Sequence, residues 1–274
     1  MAEIRSRVTA DGALTYLEAG PAHAMPVVFL HGIGGSARLW TRQLASFGEH
    51  HRAVAWNMPG YGGSAPLPTS SVGLLGDALA RFLELPGLDR PVLVGHSLGG
   101  MVVQSYLADG HPPPRGAVLA QTSPAFGGRD PAWARDFVAA RLEPLERGET
   151  MRAMAPAMVE GMIGEGADPD GVALALDAIA ETPESAYRDS TLAMIGFDRR
   201  EALERIAVPT LVVSGSADRN APAATMEKMA ARIPGAEYVC VEGCGHLVMA
   251  ERPDAFDGAL RAFLARLEPA GADG

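Results

Sequence analysis

Apolar residues fall along this chain in two alternating patterns. Six short runs are almost wholly apolar and bounded by Pro, Gly or polar residues: VVFLHG (27–32), RAVAWN (52–57), PVLVGH (91–96), GAVLAQ (116–121), PTLVVSG (209–215) and AEYVCVEG (236–243). Near-continuous apolarity is what strands covered on both faces require. Between the runs lie SARLWTRQLASFGE (36–49), VGLLGDALARFLEL (72–85), LGGMVVQSYLADG (98–110), APAATMEKMAARI (221–233) and RPDAFDGALRAFLARL (252–267). Their apolar residues recur at three- and four-residue spacing, which predicts helices. The opening segments EIRSRVT (3–9) and ALTYLEAG (13–20) read as two further strands forming an antiparallel edge. The fold class expected is α/β: a mostly parallel, eight-stranded sheet with helices on both faces.

The alternation breaks between about Ser123 and Arg205, in a stretch poor in strand formers, with helical segments near 131–147, 149–163 and 170–180. It is too long for an ordinary loop. The organisation expected is a core of residues 1–123 and 206–270 with an inserted helical cap over 124–205. The tail EPAGADG (268–274) reads as frayed.

Composition narrows the function classes. With 47% hydrophobic and 20% charged residues in 274, the chain can bury a sizeable core, and a folded rather than disordered chain is expected. A net charge of −10 without a Lys- or Arg-rich run argues against nucleic acid or an anionic membrane as partner. No stretch approaches the ~20 apolar residues of a membrane span, and the N-terminus lacks a signal-peptide h-region. The expectation is a soluble cytoplasmic protein, either monomer or homodimer. Cys240 and Cys244 have no zinc-ligand pattern around them and read as two small buried residues rather than a disulfide.

The chemistry begins at GHSLGG. Gly95, Ser97 and Gly99 form G-x-S-x-G between a strand and a helix, the pattern of a nucleophile elbow. The bend strains the serine backbone, and side chains two positions before or after it would crowd the turn. In return the hydroxyl is exposed at a strand's carboxyl end, near a helix N-terminus. A serine needs a base and the base an orienting acid. His246, after Gly243 and Gly245 and just before the last helix, lies at the same end of the sheet. His96 is nearer in sequence, but strand alternation turns its side chain away from that of Ser97. His23, His50, His51 and His111 read as solvated surface residues. Asp218, after the two-residue turn SA that follows TLVVSG, is the best-placed acid; Asp198 is the alternative and reads more simply as a cap-anchoring or helix-capping carboxylate. HGIGGS (31–36) lets backbone approach a ligand closely, so the amides of Ile33 and Leu98 are the candidate oxyanion donors.

Five blocks, VVFLHGIGGS, NMPGYGGS, VGHSLGG, PTLVVSGSAD and GCGHLVMAERPDAF, together resemble the α/β-hydrolase superfamily in order and spacing over nearly the whole chain. The resemblance implies Ser97 as nucleophile, Asp218 and His246 as its partners, and Ile33 and Leu98 at the oxyanion hole, with no metal or organic cofactor. Asn57 stands where relatives usually carry aspartate, a normally structural position. A serine nucleophile argues against haloalkane dehalogenases and epoxide hydrolases. Relatives that cleave carbon–carbon bonds commonly carry tryptophan after the catalytic histidine, where this chain has Leu247. The cap's opening (121–148) is similar to that of 3-oxoadipate enol-lactonases, which implies Trp133, Arg135 and Arg141 as candidates for holding a substrate carboxylate. Their spacing does not match cleanly, and one buried aromatic plus solvated arginines is the simpler reading. Met151, Met154, Met158, Met162 and Met194 are spaced for helix packing, with Met158 and Leu247 also candidates to line an acyl pocket. The expected substrate is a medium-sized, largely apolar ester or lactone. A carbon–carbon bond hydrolase, a cofactor-free perhydrolase and a triad-retaining ligand receptor are the alternatives.

Overall fold

All eight expected strands form within two residues of their expected bounds: β1 (Ile4–Val8), β2 (Thr15–Ala19), β3 (Pro26–Leu30), β4 (Arg52–Trp56), β5 (Val92–His96), β6 (Gly116–Ala120), β7 (Thr210–Gly215) and β8 (Glu237–Val241). The structure is a computed structural model that describes residues 2–127 and 131–268. The expectation of a frayed tail therefore lies, beyond Glu268, outside the described residues, as do positions 128–130 of the cap's opening. One sheet joins the strands in the order β1-β2-β4-β3-β5-β6-β7-β8. β1 and β2 are antiparallel to their neighbours, and the pairs from β4 to β8 are parallel.

Side-chain alternation explains why the inner strands are apolar throughout. Val27, Phe29, Val92 and Val94 pack into one core beneath α1 (Thr41–Phe47) and α10 (Pro253–Leu267). Val28, Leu30, Leu93 and Leu119 face the opposite core, beneath α2 (Val72–Phe82), α3 (Leu98–Ala108) and α8 (Ala223–Ala230). With both faces covered, no polar face is left for period-two patterning to reveal.

Among the described residues four α-helices separate β6 from β7: α4 (Pro131–Glu146), α5 (Met151–Glu160), α6 (Pro169–Ala180) and α7 (Glu184–Ala193). α5 packs on α6 and α4 on α7, while α6 rests on α9 (Val248–Glu251) and on a 3-10 turn over 37–40. α7 is the helix that apolar periodicity misses. The residues it buries, Ala186, Tyr187, Ser190, Thr191 and Ala193, are mostly small or polar.

Three surface expectations need correction. Cys240 is exposed because β8 is the edge strand, while Cys244 is buried; both are free thiols. His51 and His111 are half-buried, facing Glu268 and Asp77 respectively. Trp133 is not the buried aromatic expected: it is 44% exposed. Among the described residues no helix is long and apolar enough to cross a membrane.

Candidate active site

The turn after β5 forces Ser97 into a positive φ of 51° with ψ of −117°. A non-glycine residue held there costs about 1–3 kcal/mol, which the surroundings must offset. Ser97 N donates to Ala120 O at 3.0 Å, and Thr122 Oγ1 donates to Ser97 O at 2.7 Å. The flanking glycines are sterically required. A Cβ on Gly95 would lie 2.5 Å from Gly99 O, and one on Gly99 would lie 2.4 Å from Leu30 O.

Strand ends bring the other polar groups to the hydroxyl. His246 Nε2 lies 3.0 Å from Ser97 Oγ, and its Nδ1 lies 2.8 Å from Asp218 Oδ2. Since the carboxylate can only accept, Nδ1 carries the proton and Nε2 presents its lone pair to the hydroxyl. Asp218 Oδ1 accepts from Asn220 N at 2.8 Å and Ala221 N at 3.0 Å, so the carboxylate is held by three donors. Both Asp218 and His246 are buried. The alternative acid, Asp198, is exposed and pairs with Arg200.

Above the serine lies a cavity of about 360 Å³, within the usual size range of small-molecule sites. Met154, Met158, Met162, Ile179, Met194 and Leu247 give it apolar walls. Ile33 also lines it, and the amides of Ile33 and Leu98 have no hydrogen-bond partner among the described residues. Unsatisfied amides beside a serine hydroxyl are suited to receive an anionic oxygen.

Of the three residues singled out between positions 121 and 148, the cavity takes in Arg141, while Trp133 and Arg135 do not line it. Trp133 stacks on Phe137 with ring centroids 5.2 Å apart, and the Arg141 guanidinium lies 3.5 Å from the centroid of the same Phe137 ring. Burial holds Arg141 below its ordinary pKa, and no carboxylate among the described residues pairs with it.

Sequence reasoning passed over His96 as a base and missed what it contacts. Its Nε2 donates to His246 O at 2.7 Å, and burial pushes its pKa down to about 3. Gln121, at a φ of 47°, brackets the same loop: its amide donates to Gly245 O and accepts from Val248 N at 2.7 Å. No motif signals these roles, because both residues act on backbone. Among the described residues no group of three His, Cys, Asp or Glu side chains is arranged to hold a metal ion.

A sequence model of the alpha/beta hydrolase family matches residues 27–259. The chain belongs to the alpha/beta hydrolase family. A hydrolase of known structure from Pseudomonas aeruginosa is 30% identical and superimposes with a TM-score of 0.81 over 96% of this chain and 98% of its own. The 3-oxoadipate enol-lactonase 2 of Acinetobacter baylyi is 25% identical over 93% of this chain and 94% of its own length. The enol-lactonase of Burkholderia xenovorans, at 24% identity and a TM-score of 0.82 over 95% of this chain and all (100%) of its own, shares the fold. As a member of this family the chain is a hydrolase enzyme.

Proposed function

We propose that this hydrolase cleaves a carboxylic ester or lactone by two-step acyl transfer, with Ser97, His246 and Asp218 as its catalytic triad. The observation that carries the reading is the unbroken chain from Ser97 Oγ through His246 to Asp218, at 3.0 and 2.8 Å, on the floor of an apolar cavity. His246 Nε2 takes the hydroxyl proton as Ser97 Oγ attacks the carbonyl carbon. Asp218 holds the ring in the tautomer this needs and stabilises the imidazolium that forms. The Ile33 and Leu98 amides donate to the oxyanion. His246 then returns the proton to the leaving alkoxide, and a water deprotonated by the same nitrogen releases the acid.

The helices of residues 124–205 act as a cap over a core of residues 1–123 and 206–270. The methionine-rich wall suits a medium-sized apolar portion of the substrate, since unbranched thioethers repack around varied shapes. Arg141 is the cation of that wall and suits a carboxylate or other anionic end, a reading also supported by the enol-lactonase relative. Trp133 and Arg135 have no part in this pocket.

The test compares wild type and Ser97→Ala on p-nitrophenyl esters of increasing chain length, simple lactones and an enol-lactone acid. Turnover above background should vanish in the variant, and a fluorophosphonate should add once to wild type and not to the variant. Near-wild-type rates in Ser97→Ala would overturn the mechanism.

A further inference from the structure

Glu251 ends the short helix α9 with 1% of its surface exposed, and its carboxylate meets three backbone amides, with the buried Cys244 thiol beside it. Oε1 accepts from Leu247 N at 2.8 Å, while Oε2 accepts from Gly245 N at 2.9 Å and from Gly164 N at 2.6 Å. Gly245 and Leu247 flank His246. Gly164 belongs to the α5–α6 connection, in the insertion between β6 and β7.

The two loops are in contact along their backbones. His246 N donates to Met162 O at 2.6 Å, and Asp168 N donates to Glu251 O at 3.1 Å. A Cβ on Gly164 would lie 2.1 Å from Gly243 O, and one on Gly245 would lie 2.1 Å from Met162 O, so neither loop has room for a side chain at the junction. Arg252 secures the insertion's loop from outside, donating to Glu165 O at 2.6 Å and Gly166 O at 2.5 Å. The amides at 245, 246 and 247 thus all end on Glu251 or on the insertion.

We infer that Glu251 is a positioning residue, through which the insertion holds the His246 loop in its working geometry. Only an acceptor without donors satisfies three N–H groups at once. Glutamine would turn an NH2 toward at least one of them. If residues 162–168 move away, Glu251 loses Gly164 N, so the carboxylate that holds Gly245 and Leu247 is less firmly fixed, and His246 N loses Met162 O. His246 Nε2 then no longer rests 3.0 Å from Ser97 Oγ. The insertion seated over the cavity and the base in place are, on this inference, one state of the molecule. The inference rests on the acyl-transfer reading above for what His246 does.

Two measurements test it. In wild type, residue-resolved amide exchange should show Gly164, Gly245 and Leu247 opening together, with similar protection. Gly164 exchanging far ahead of the other two would overturn the inference, and this arm requires no variant to fold. In Glu251→Gln, Ser97 sites are first counted by fluorophosphonate labelling and kcat is expressed per labelled site. That kcat should fall by about 10- to 100-fold, the size of effect a displaced catalytic group gives, with KM little changed. A purely structural carboxylate would lower the number of labelled sites and the melting temperature while leaving kcat per site at the wild-type value, and that outcome would also overturn it. If Ser97→Ala is inert while Glu251→Gln turns over normally per site, the positioning role alone fails. If Ser97→Ala stays active, the acyl-transfer reading fails, whereas the shared opening of the two loops stands or falls on the exchange data.

Discussion

Replacing Asp218 by asparagine should disable the hydrolase through the tautomer of His246 rather than through lost packing. The carboxylate now accepts three hydrogen bonds, two on Oδ1 from Asn220 N and Ala221 N and one on Oδ2 from His246 Nδ1. Asparagine has one oxygen. Turning it toward His246 would leave two backbone amides, one buried and one part-buried, facing an NH2, at about 1–3 kcal/mol for a buried unsatisfied donor. Turning it toward the amides keeps both bonds and points the NH2 at Nδ1. The second orientation wins by two hydrogen bonds, three against one. Nδ1 must then be the acceptor and the ring proton moves to Nε2, where it faces Ser97 Oγ and can take no proton from it. The loss expected in kcat is about 10⁴-fold, the size seen when a triad is locked in the wrong tautomer, equivalent to about 5.5 kcal/mol of barrier. Initial rates on a p-nitrophenyl ester from pH 6 to 10 would measure it, with far-UV circular dichroism to establish folding. A folded Asp218→Asn enzyme within about tenfold of wild type would refute the assignment of Asp218 as the orienting acid.

Stability should fall in mild acid, because burial holds His31 near a pKa of about 4 and His96 near about 3, against about 6.5 when unfolded. Both folded values are depressed, so the stability is present above the unfolded pKa and is lost as pH falls toward the folded ones. Denaturant melts at pH 7 and pH 5 should differ by about 4 kcal/mol, with roughly half of that fall absent in His96→Gln; equal stabilities would refute it. Gly99→Ala drives a Cβ to 2.4 Å from Leu30 O and should cost about 3 kcal/mol or more. Gly258→Ala, in α10 with open space around it, should add about 0.5–1 kcal/mol in the same melts. Arg141→Met should raise KM by about 10- to 100-fold for an ester carrying a free carboxylate, as loss of a charge-assisted hydrogen bond predicts, and leave neutral esters unchanged. Native protein should take up one maleimide, at the exposed Cys240, whereas burial shields Cys244 and raises its pKa.

Legibility in this sequence follows backbone constraint rather than proximity. Ser97 and His246 are 149 residues apart and His246 and Asp218 are 28 apart, yet all three could be picked out before their contacts were known. Each sits where a strand ends, and the bends there leave glycines at 95, 99, 215, 243 and 245 that a reader can see. His96, Gln121 and Glu251 all bond to the backbone of the His246 loop, but nothing in the string marks those bonds. They reach carbonyls and amides 150, 124 and 87 residues away, and a backbone atom has no side-chain identity for the string to record. α7 escaped for a related reason. It buries Ala, Ser, Thr and Tyr rather than a stripe of Leu or Val, so its inward face looks like surface. In the cap's opening the failure runs the other way: Trp133, Arg135 and Arg141 read alike as pocket candidates, and only helix geometry separates them. Arg141 lies eight positions after Trp133 on the same helix, joined to it through Phe137, while Arg135 projects elsewhere into solvent. Spacing of four along a helix aligns side chains on one face, so 133, 137 and 141 form a column that runs from an exposed tryptophan to a cation on the cavity wall.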